Sequence, residues 1–282
     1  MTTSTGLDMD WLSRSLERVR ERRPLVHNIT NFVVMNTTAN ALLALGASPI
    51  MAHSPEEVEE LVASADALVV NIGTLDHLFT YSMIKAVAKA RELGKPVVLD
   101  PVGAGATTLR TRVATYILSL GGVSTVRGNF GEISALSGEL GKTRGVDTAV
   151  YDESVAREIV KSVAKKYSTV AAVTGSVDYV SNGERVYAIK PGAPSTEELV
   201  QRVIRRVTGL GCIVTALIGA YLAVEDPLKA TIAGIVTFKV AAEEAVKEAP
   251  YPGSFHVKLY DWLYRLSGDT LSKLAEGRII EA

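Results

Sequence analysis

Short apolar runs alternate along this chain with longer amphipathic stretches. Residues 8–23 place Trp11, Leu12 and Leu16 on one helical face and Arg14, Glu17, Arg18 and Arg20 largely on the other, and Pro24 ends that helix. Leu25-Val26-His27 reads as a short strand. The Asn- and Thr-rich stretch Asn28–Asn40 reads as a loop entering a helix, because these side chains compete for a helix backbone. Ala47–Met51 predicts a second strand. Ser54-Pro55-Glu56-Glu57 predicts a helix start, with a cap, a proline in first position and acids in the first turn. Ala67–Ile72 is an apolar strand ending in Asn71 and Gly73. After it come a helix over 77–93 closed by Gly94, a strand Pro96–Asp100, a helix over 108–120, a strand 124–129 and a helix from Glu132.

The second half keeps the rhythm. A helix over 152–166 precedes a strand, Thr169–Thr174, and a hairpin over 178–189 turns at Asn182-Gly183. Residues 193–206 are charged and helix-like, without an evident purpose. The apolar run Ile213–Val224 is broken by Thr215 and Gly219 and stops at Glu225, too short for a bilayer, so it predicts a buried core helix. A helix opened by Asp226-Pro227 runs to about Glu248, and a last helix covers roughly 254–275. With no internal repeat or linker, this alternation predicts one domain over residues 1–282. Its fold class is α/β: a single doubly wound, mostly parallel sheet with helices on both faces and an antiparallel edge hairpin.

Composition narrows the function classes. The chain is 47% hydrophobic but only 6% aromatic, so Ala, Val, Leu and Ile build the core, as for helices packed on a parallel sheet. A formal net charge of −1 gives no footprint for nucleic acid or an anionic membrane. The one cysteine excludes an intramolecular disulfide and a cysteine-based zinc site. With an N-terminus that lacks a signal peptide's apolar core, it predicts a reducing, cytoplasmic compartment.

The chemistry concentrates at Thr208-Gly209-Leu210-Gly211-Cys212, just ahead of the longest apolar run. Glycines at a helix start leave bare N–H groups and the positive end of the dipole facing a ligand, a ready phosphate site. Cys212 lies in the first turn, where a thiolate is favoured. An ordinary Gly-rich loop entering a buried helix is the competing reading. In open α/β sheets ligands sit beyond the carboxyl ends of the strands. Asp100, Arg127 with Asn129 and Glu132, and Thr174-Gly175 all fall there. A carboxylate beside Gly-rich backbone suits Mg²⁺ held through water, and Arg127 offers a planar cation for phosphate. Asn129-x-x-Glu132 equally resembles a capping box.

Two look-alike motifs carry less. Gly141-Lys142-Thr143 mimics the end of a P-loop but follows a helix and has Leu136 where the first glycine belongs. Gly103-Ala-Gly105 follows a strand but lacks the third glycine and the later acidic residue of a dinucleotide fingerprint; it leaves a nicotinamide-dependent oxidoreductase as a weak alternative. A non-catalytic binding module is a third reading, opposed by the intact Asn129-x-x-Glu132 and Gly211-Cys212. The four histidines are too dispersed for a metal site.

Taken together these motifs resemble the ribokinase-like superfamily of small-molecule kinases. The resemblance is closer to its hydroxyethylthiazole kinase family, from about Pro24 to Arg265. It rests on Val26–Asn31, Asn36–Asn40, Gly46–Met51, Val98–Gly105, Arg127–Glu132, Val173–Gly175, Val207–Cys212 and Pro252–Phe255. The resemblance implies ATP-dependent phosphorylation of the hydroxyl of 4-methyl-5-(2-hydroxyethyl)thiazole in thiamine salvage, with Mg²⁺. A different heterocyclic alcohol, such as hydroxymethylpyrimidine, is the runner-up. The resemblance implies a thiazole-alcohol site at Met51, Gly209 and Asn28, ATP binding at Arg127 and Thr174, magnesium and phosphate at Asp100 and Glu132, and Cys212 as the catalytic base, where other ribokinase-like enzymes carry an aspartate and this family commonly has cysteine. Leu210 departs from the smaller residue expected there. The resemblance also implies a homotrimer, for which the polar surplus of Asn28–Asn40 suggests a pocket between subunits, Asn28 to Thr38 of one facing the Gly209 loop of the next.

Overall fold

The structure is a computed structural model and describes residues 9–138 and 152–282. Gly141-Lys142-Thr143 lies outside the described residues. In the first half, the order is α1 (Asp10–Arg22), β1 (Leu25–Ile29), α2 (Met35–Leu45), β2 (Ser48–Met51), α3 (Val58–Ser64), β3 (Ala67–Asn71), α4 (His77–Glu92), β4 (Val97–Asp100), α5 (Thr108–Ser119), β5 (Thr125–Asn129) and α6 (Phe130–Ser137). There follow α7 (Glu153–Tyr167), β6 (Val170–Thr174), β7 (Asp178–Ser181), β8 (Val186–Ile189), α8 (Pro194–Ile204), α9 (Leu210–Leu222), α10 (Pro227–Glu248), α11 (Pro252–Arg265), α12 (Gly268–Ala275) and β9 (Ile279–Glu281).

The strands form one sheet in the order β2-β1-β3-β4-β5-β6-β7-β8-β9. The links from β2 to β6 are parallel and those from β6 to β9 antiparallel. This is the doubly wound, mostly parallel sheet that the strand–helix rhythm predicts. Each central strand is buried on both faces, which is why it reads as an unbroken apolar run. Val26, Val69 and Val98 point to a core shared with α1, α2, α9, α10, α11 and α12. Leu68, Val70 and Leu99 point to the opposite core, against α3 to α7. Helix α9 lies deepest: every residue from Ile213 to Leu222 is buried. Its N-terminus therefore emerges at the carboxyl end of the parallel strands.

Four local expectations are corrected. Ser54–Glu57 forms a turn, with Glu57 N–H on the Ser54 carbonyl, and the helix starts only at Val58, without a side-chain cap. Asn182-Gly183 opens a four-residue loop instead of a two-residue turn: Ser181 pairs with Val186, and Asn182 Oδ1 accepts from the amides of Glu184 and Arg185. The last helix is two, because the chain breaks at Leu266 and Ser267 recaps α12 through the Thr270 amide. Residues 279–281 add a ninth strand, which pairs antiparallel with β8.

Candidate active site

Two parallel strands, β3 and β4, end in polar residues whose side chains meet, and Asn31, two residues beyond β1, joins them. Asn71, at the end of β3, is in register with Asp100, at the end of β4. Asn71 Nδ2 donates to Asp100 Oδ2 at 2.9 Å and to Cys212 Sγ at 3.1 Å. Its Oδ1 accepts from Asn31 Nδ2 at 2.8 Å. Thr215, one turn along α9 from Gly211, donates its hydroxyl to the same Asp100 oxygen at 2.9 Å. A buried carboxylate is costly unless it is hydrogen-bonded, and these donors satisfy one oxygen of Asp100. Burial nevertheless pushes the Asp100 carboxyl up to about 6; nearby Glu132 adds to this, and Arg127 opposes it.

The glycines of the central loop have separate reasons. Gly209 has φ +82°, and a Cβ there would lie 2.7 Å from Val34 Cγ1. A left-handed residue at the helix entry and the close approach of the Val34 loop both demand glycine. Gly211 makes room instead: a Cβ there would lie 2.9 Å from Arg127 Nη1, so its absence lets the guanidinium rest against the start of α9. Arg127 is nearly buried and donates to the Thr174 hydroxyl, while its Nε has no hydrogen-bond partner. An unpaired guanidinium donor beside an open helix N-terminus suits an anion.

Cys212 sits in the first turn of α9 as expected, but it is not a thiolate site. Burial pushes its thiol up to about 12; the Asp100 carboxylate reinforces this, and the Asn71 amide, Arg127 and Asn31 only partly oppose it. The dipole of one helix end does not offset desolvation of that size.

Asn129 and Glu132 form a reciprocal capping box at the start of α6: Asn129 Oδ1 accepts from the Glu132 amide and Glu132 Oε2 from the Asn129 amide, at 2.9 and 2.8 Å. The competing reading of that motif is thus realised. Glu132 does more than cap, because its Oε1 accepts from Gly103 N–H at 2.8 Å, which draws the β4–α5 loop to β5. The amides of Gly103 and Gly105 are spent on Glu132 and Thr111, so this glycine pair has no cradle to offer a dinucleotide.

Asp100, Arg127, Glu132, Gly209 and Cys212 line one cavity of about 410 Å³, with Asn31, Gly73 and Thr208. Arg127 and Thr174 also border a second cavity of about 440 Å³. Helix α8, the charged stretch without evident purpose, forms one wall of this second space through Val200, Gln201 and Ile204; Phe238 and Ile235 of α10 form another. Two largely buried ion pairs reach its lining: Lys239 with Asp178 at 3.1 Å, and Glu243, which pairs with Arg278 behind it at 2.8 Å. Arg127 therefore stands where an apolar-walled cavity meets a polar one.

Two expected site residues are not brought to either cavity. Asn28 turns its Nδ2 back to the Val26 carbonyl at 2.8 Å, with Oδ1 buried and unpartnered. Met51 ends the edge strand β2, half-buried. The Asn/Thr-rich stretch also meets the Gly209 loop of its own chain: Asn31 and Val34 line the cavity with Gly209, and Thr38 bonds the Val34 carbonyl. Its polar surplus is satisfied largely within the chain. Asn71 and Gly73 went unassigned in the sequence, although an Asn closing an otherwise apolar strand is a usable signal. Lys239 offered none, since it lies mid-helix among apolar residues.

Fold and site together define a ribokinase-like architecture. The chain superposes on a ribokinase-like superfamily protein from Enterococcus faecalis with a TM-score of 0.56 at 16% identity, covering 91% of this chain and 94% of that one, a likeness of fold alone. The sequence pattern of the Hydroxyethylthiazole kinase family matches residues 16–269, and the chain belongs to that family. It is 60% identical to the hydroxyethylthiazole kinase of Pyrococcus abyssi over 96% of this chain and 98% of that protein. It is also similar to the solved hydroxyethylthiazole kinase structure from Pyrococcus horikoshii, with a TM-score of 0.86 and 56% identity over 96% of this chain and 99% of that one.

Proposed function

We propose that this chain is a kinase that transfers the γ-phosphoryl group of ATP to the hydroxyl of 4-methyl-5-(2-hydroxyethyl)thiazole, supplying the thiazole half of thiamine. The observation that carries the reading is the junction at Arg127. There a nearly buried guanidinium, with Nε unpaired, and the open N-terminus of α9 stand between the polar cavity and the cavity walled by α8 and α10. The apolar cavity suits a nucleoside and the junction suits its phosphates. The alcohol then enters the polar cavity beside Cys212. The names of the Pyrococcus relatives support the thiazole alcohol as acceptor.

Phosphoryl transfer through a loose transition state needs little covalent help from the protein; it needs alignment and charge stabilisation. Arg127 and the amides from Gly209 to Cys212 would hold the phosphates. At neutral pH Cys212 is a thiol, so it orients the alcohol through a weak hydrogen bond; only its scarce thiolate form can take the alcohol's proton, which otherwise passes late to an oxygen of the transferred phosphoryl group.

Among the described residues no three His, Cys, Asp or Glu side chains cluster as a metal site. Both Glu132 oxygens already accept backbone amides, and Asp100 is pinned by Asn71 and Thr215. That donor set fits a Mg²⁺ bound chiefly by phosphates and water, with Asp100 and Glu132 in its outer shell. Such an ion would neutralise charge on the β- and γ-phosphates.

The active form is a homotrimer in the cytoplasm, with residues 1–282 as one kinase domain in each copy. Phe32 and Val33, 59% and 60% exposed next to the cavity wall, and the open edge of β2 support a partner there. No helix among the described residues is long and apolar enough to cross a membrane.

An ADP-release assay over a panel of thiazole, pyrimidine and pyridoxal-type alcohols tests the reading. Turnover should be largest with the thiazole alcohol; a purified protein that turns over ATP with none of them would overturn it. Light scattering should give three copies, and a fully active monomer would refute the assembly.

A further inference from the structure

Arg110 lies in the first turn of α5, outside both cavities, and the function proposed above gives it no part. Its guanidinium nevertheless joins the two loops that form the floor of the polar cavity. Nη2 donates to the Gly73 carbonyl at 2.8 Å and Nη1 to the Val102 carbonyl at 3.0 Å. Gly73 and Val102 both line that cavity. The first belongs to the β3–α4 loop, where the Gly73 amide bonds Asn71 Oδ1 at 3.0 Å. The second belongs to the β4–α5 loop, whose Gly103 amide holds Glu132 Oε1.

The chain leaves space for this fork. Gly103 has φ +74°, and a Cβ there would collide with Arg110 Nη1. A planar guanidinium can bridge two carbonyls in fixed geometry, which a flexible ammonium does not reproduce. The β4–α5 loop is further tied to α5 by Thr111 Oγ1, which accepts the Gly105 amide at 2.8 Å.

We propose that Arg110 is a positioning residue for phosphoryl transfer: by bridging Gly73 and Val102 it sets Glu132 and the Asn71–Asp100–Cys212 cluster at the distance that transfer requires. It touches neither substrate. It acts through Gly103 on the carboxylate beside the phosphates and through Gly73 on the amide that holds the thiol. Small displacements of aligned groups cost rate steeply, because positioning supplies much of the catalysis.

The inference rests on reading the chain as an ATP-dependent alcohol kinase, so its test carries one readout that needs no turnover. Arg110→Met and Arg110→Lys are compared with the wild type in the full chain. Backbone amide exchange is followed in the ligand-free proteins at Gly103, Gly73 and, as a remote reference, Tyr187. Arg110→Met should speed exchange at Gly103 and Gly73 at least about tenfold and leave Tyr187 unchanged, the mark of local loosening. In the kinase assay it should lower kcat on the order of 10- to 100-fold and raise the Mg²⁺ needed for half-maximal rate, with KM for the alcohol within about twofold. Arg110→Lys should recover part of kcat and little of the Mg²⁺ response. Unchanged exchange at Gly103 and Gly73 would overturn the proposal, as would wild-type kcat in a folded Arg110→Met. A loss of kcat that merely follows a lowered Tm, with exchange faster at Tyr187 as well, would overturn it too. A wild type inactive on every alcohol, together with the local exchange change, would refute the kinase reading and leave the bridge of loops standing.

Discussion

Asn71 Nδ2 lies 3.1 Å from Cys212 Sγ, across 141 residues of sequence, and donates to it. The amide caps a sulfur that burial keeps protonated, pushed up to about 12. The residue placed by sequence as the base is thus a neutral thiol whose position is fixed by a neighbouring strand end.

Cys212→Ala should therefore keep measurable activity. Loss of a general base costs about 10²–10⁴-fold, and a group so poorly ionised should fall at or below the low end. Cys212→Ser should resemble Ala. Cys212→Asp, whose carboxylate would meet the amides of Asn71 and Asn31, should equal or exceed the wild type near neutral pH. The three kcat values with melting curves decide it: a folded, inactive Asp variant beside an Ala variant at the wild-type rate would remove Cys212 from the chemistry. Iodoacetamide should also react slowly at pH 8, with no plateau below pH 10.

Asp100 gives a pH-dependent stability. Its native carboxyl, pushed from 3.8 up to about 6 chiefly by burial, holds a proton more tightly than the unfolded chain does. The stabilisation from this group is complete below about pH 4 and is lost as pH rises through 6. Two units correspond to about 3 kcal/mol, an order-of-magnitude figure. Asp100→Asn does not titrate and can still accept from Asn71 and Thr215. Relative to the wild type it should gain about 2–3 kcal/mol between pH 4 and pH 8 in metal-free urea unfolding, while losing most of its activity. Parallel stability curves for the two proteins would contradict this.

Arg127→Lys should raise KM for ATP about tenfold and leave KM for the alcohol within about twofold, because a point charge does not replace a planar fork. The structural alternative, an ion pair with Glu132, is not what the site contains: Arg127 donates to Thr174, and Glu132 accepts Gly103 and Asn129 amides. Tm should therefore change little. A lowered Tm with an unchanged KM for ATP would speak for a purely structural arginine.

The two glycines of the central loop should separate in their effects. Gly209→Ala introduces a Cβ at positive φ against Val34 and should cost about 1–3 kcal/mol of stability. Gly211→Ala meets only the end of the Arg127 side chain, which can move, so it should cost little stability and raise KM for ATP about tenfold. Denaturant midpoints and ATP kinetics on the two variants provide the check.

The sequence by itself determined the sheet, most of its helices and the end of the sheet where chemistry sits. Those follow from local patterns: apolar runs too short for helices, 3.6-residue periodicity, and polar residues such as Asp100 and Thr174 closing apolar strands. The glycines before α9 were legible for the same reason, since backbone conformation is a local demand. The resemblance supplied the family, which the match over residues 16–269 bears out. Only the tertiary structure decided how the ends meet. The break at Leu266 and the ninth strand depend on partners far away in sequence: Gly268 N–H on Glu17, and β9 on β8. The roles of Asn71, Lys239 and Arg110 come from contacts 29 to 141 residues apart or from a neighbouring loop. The weak ionisation of Cys212 is decided by packing, because a helix start favours a thiolate only while water or a cation shares the charge. Burial beside Asp100 removes the water and adds a like charge, and both are facts of packing that no stretch of sequence contains.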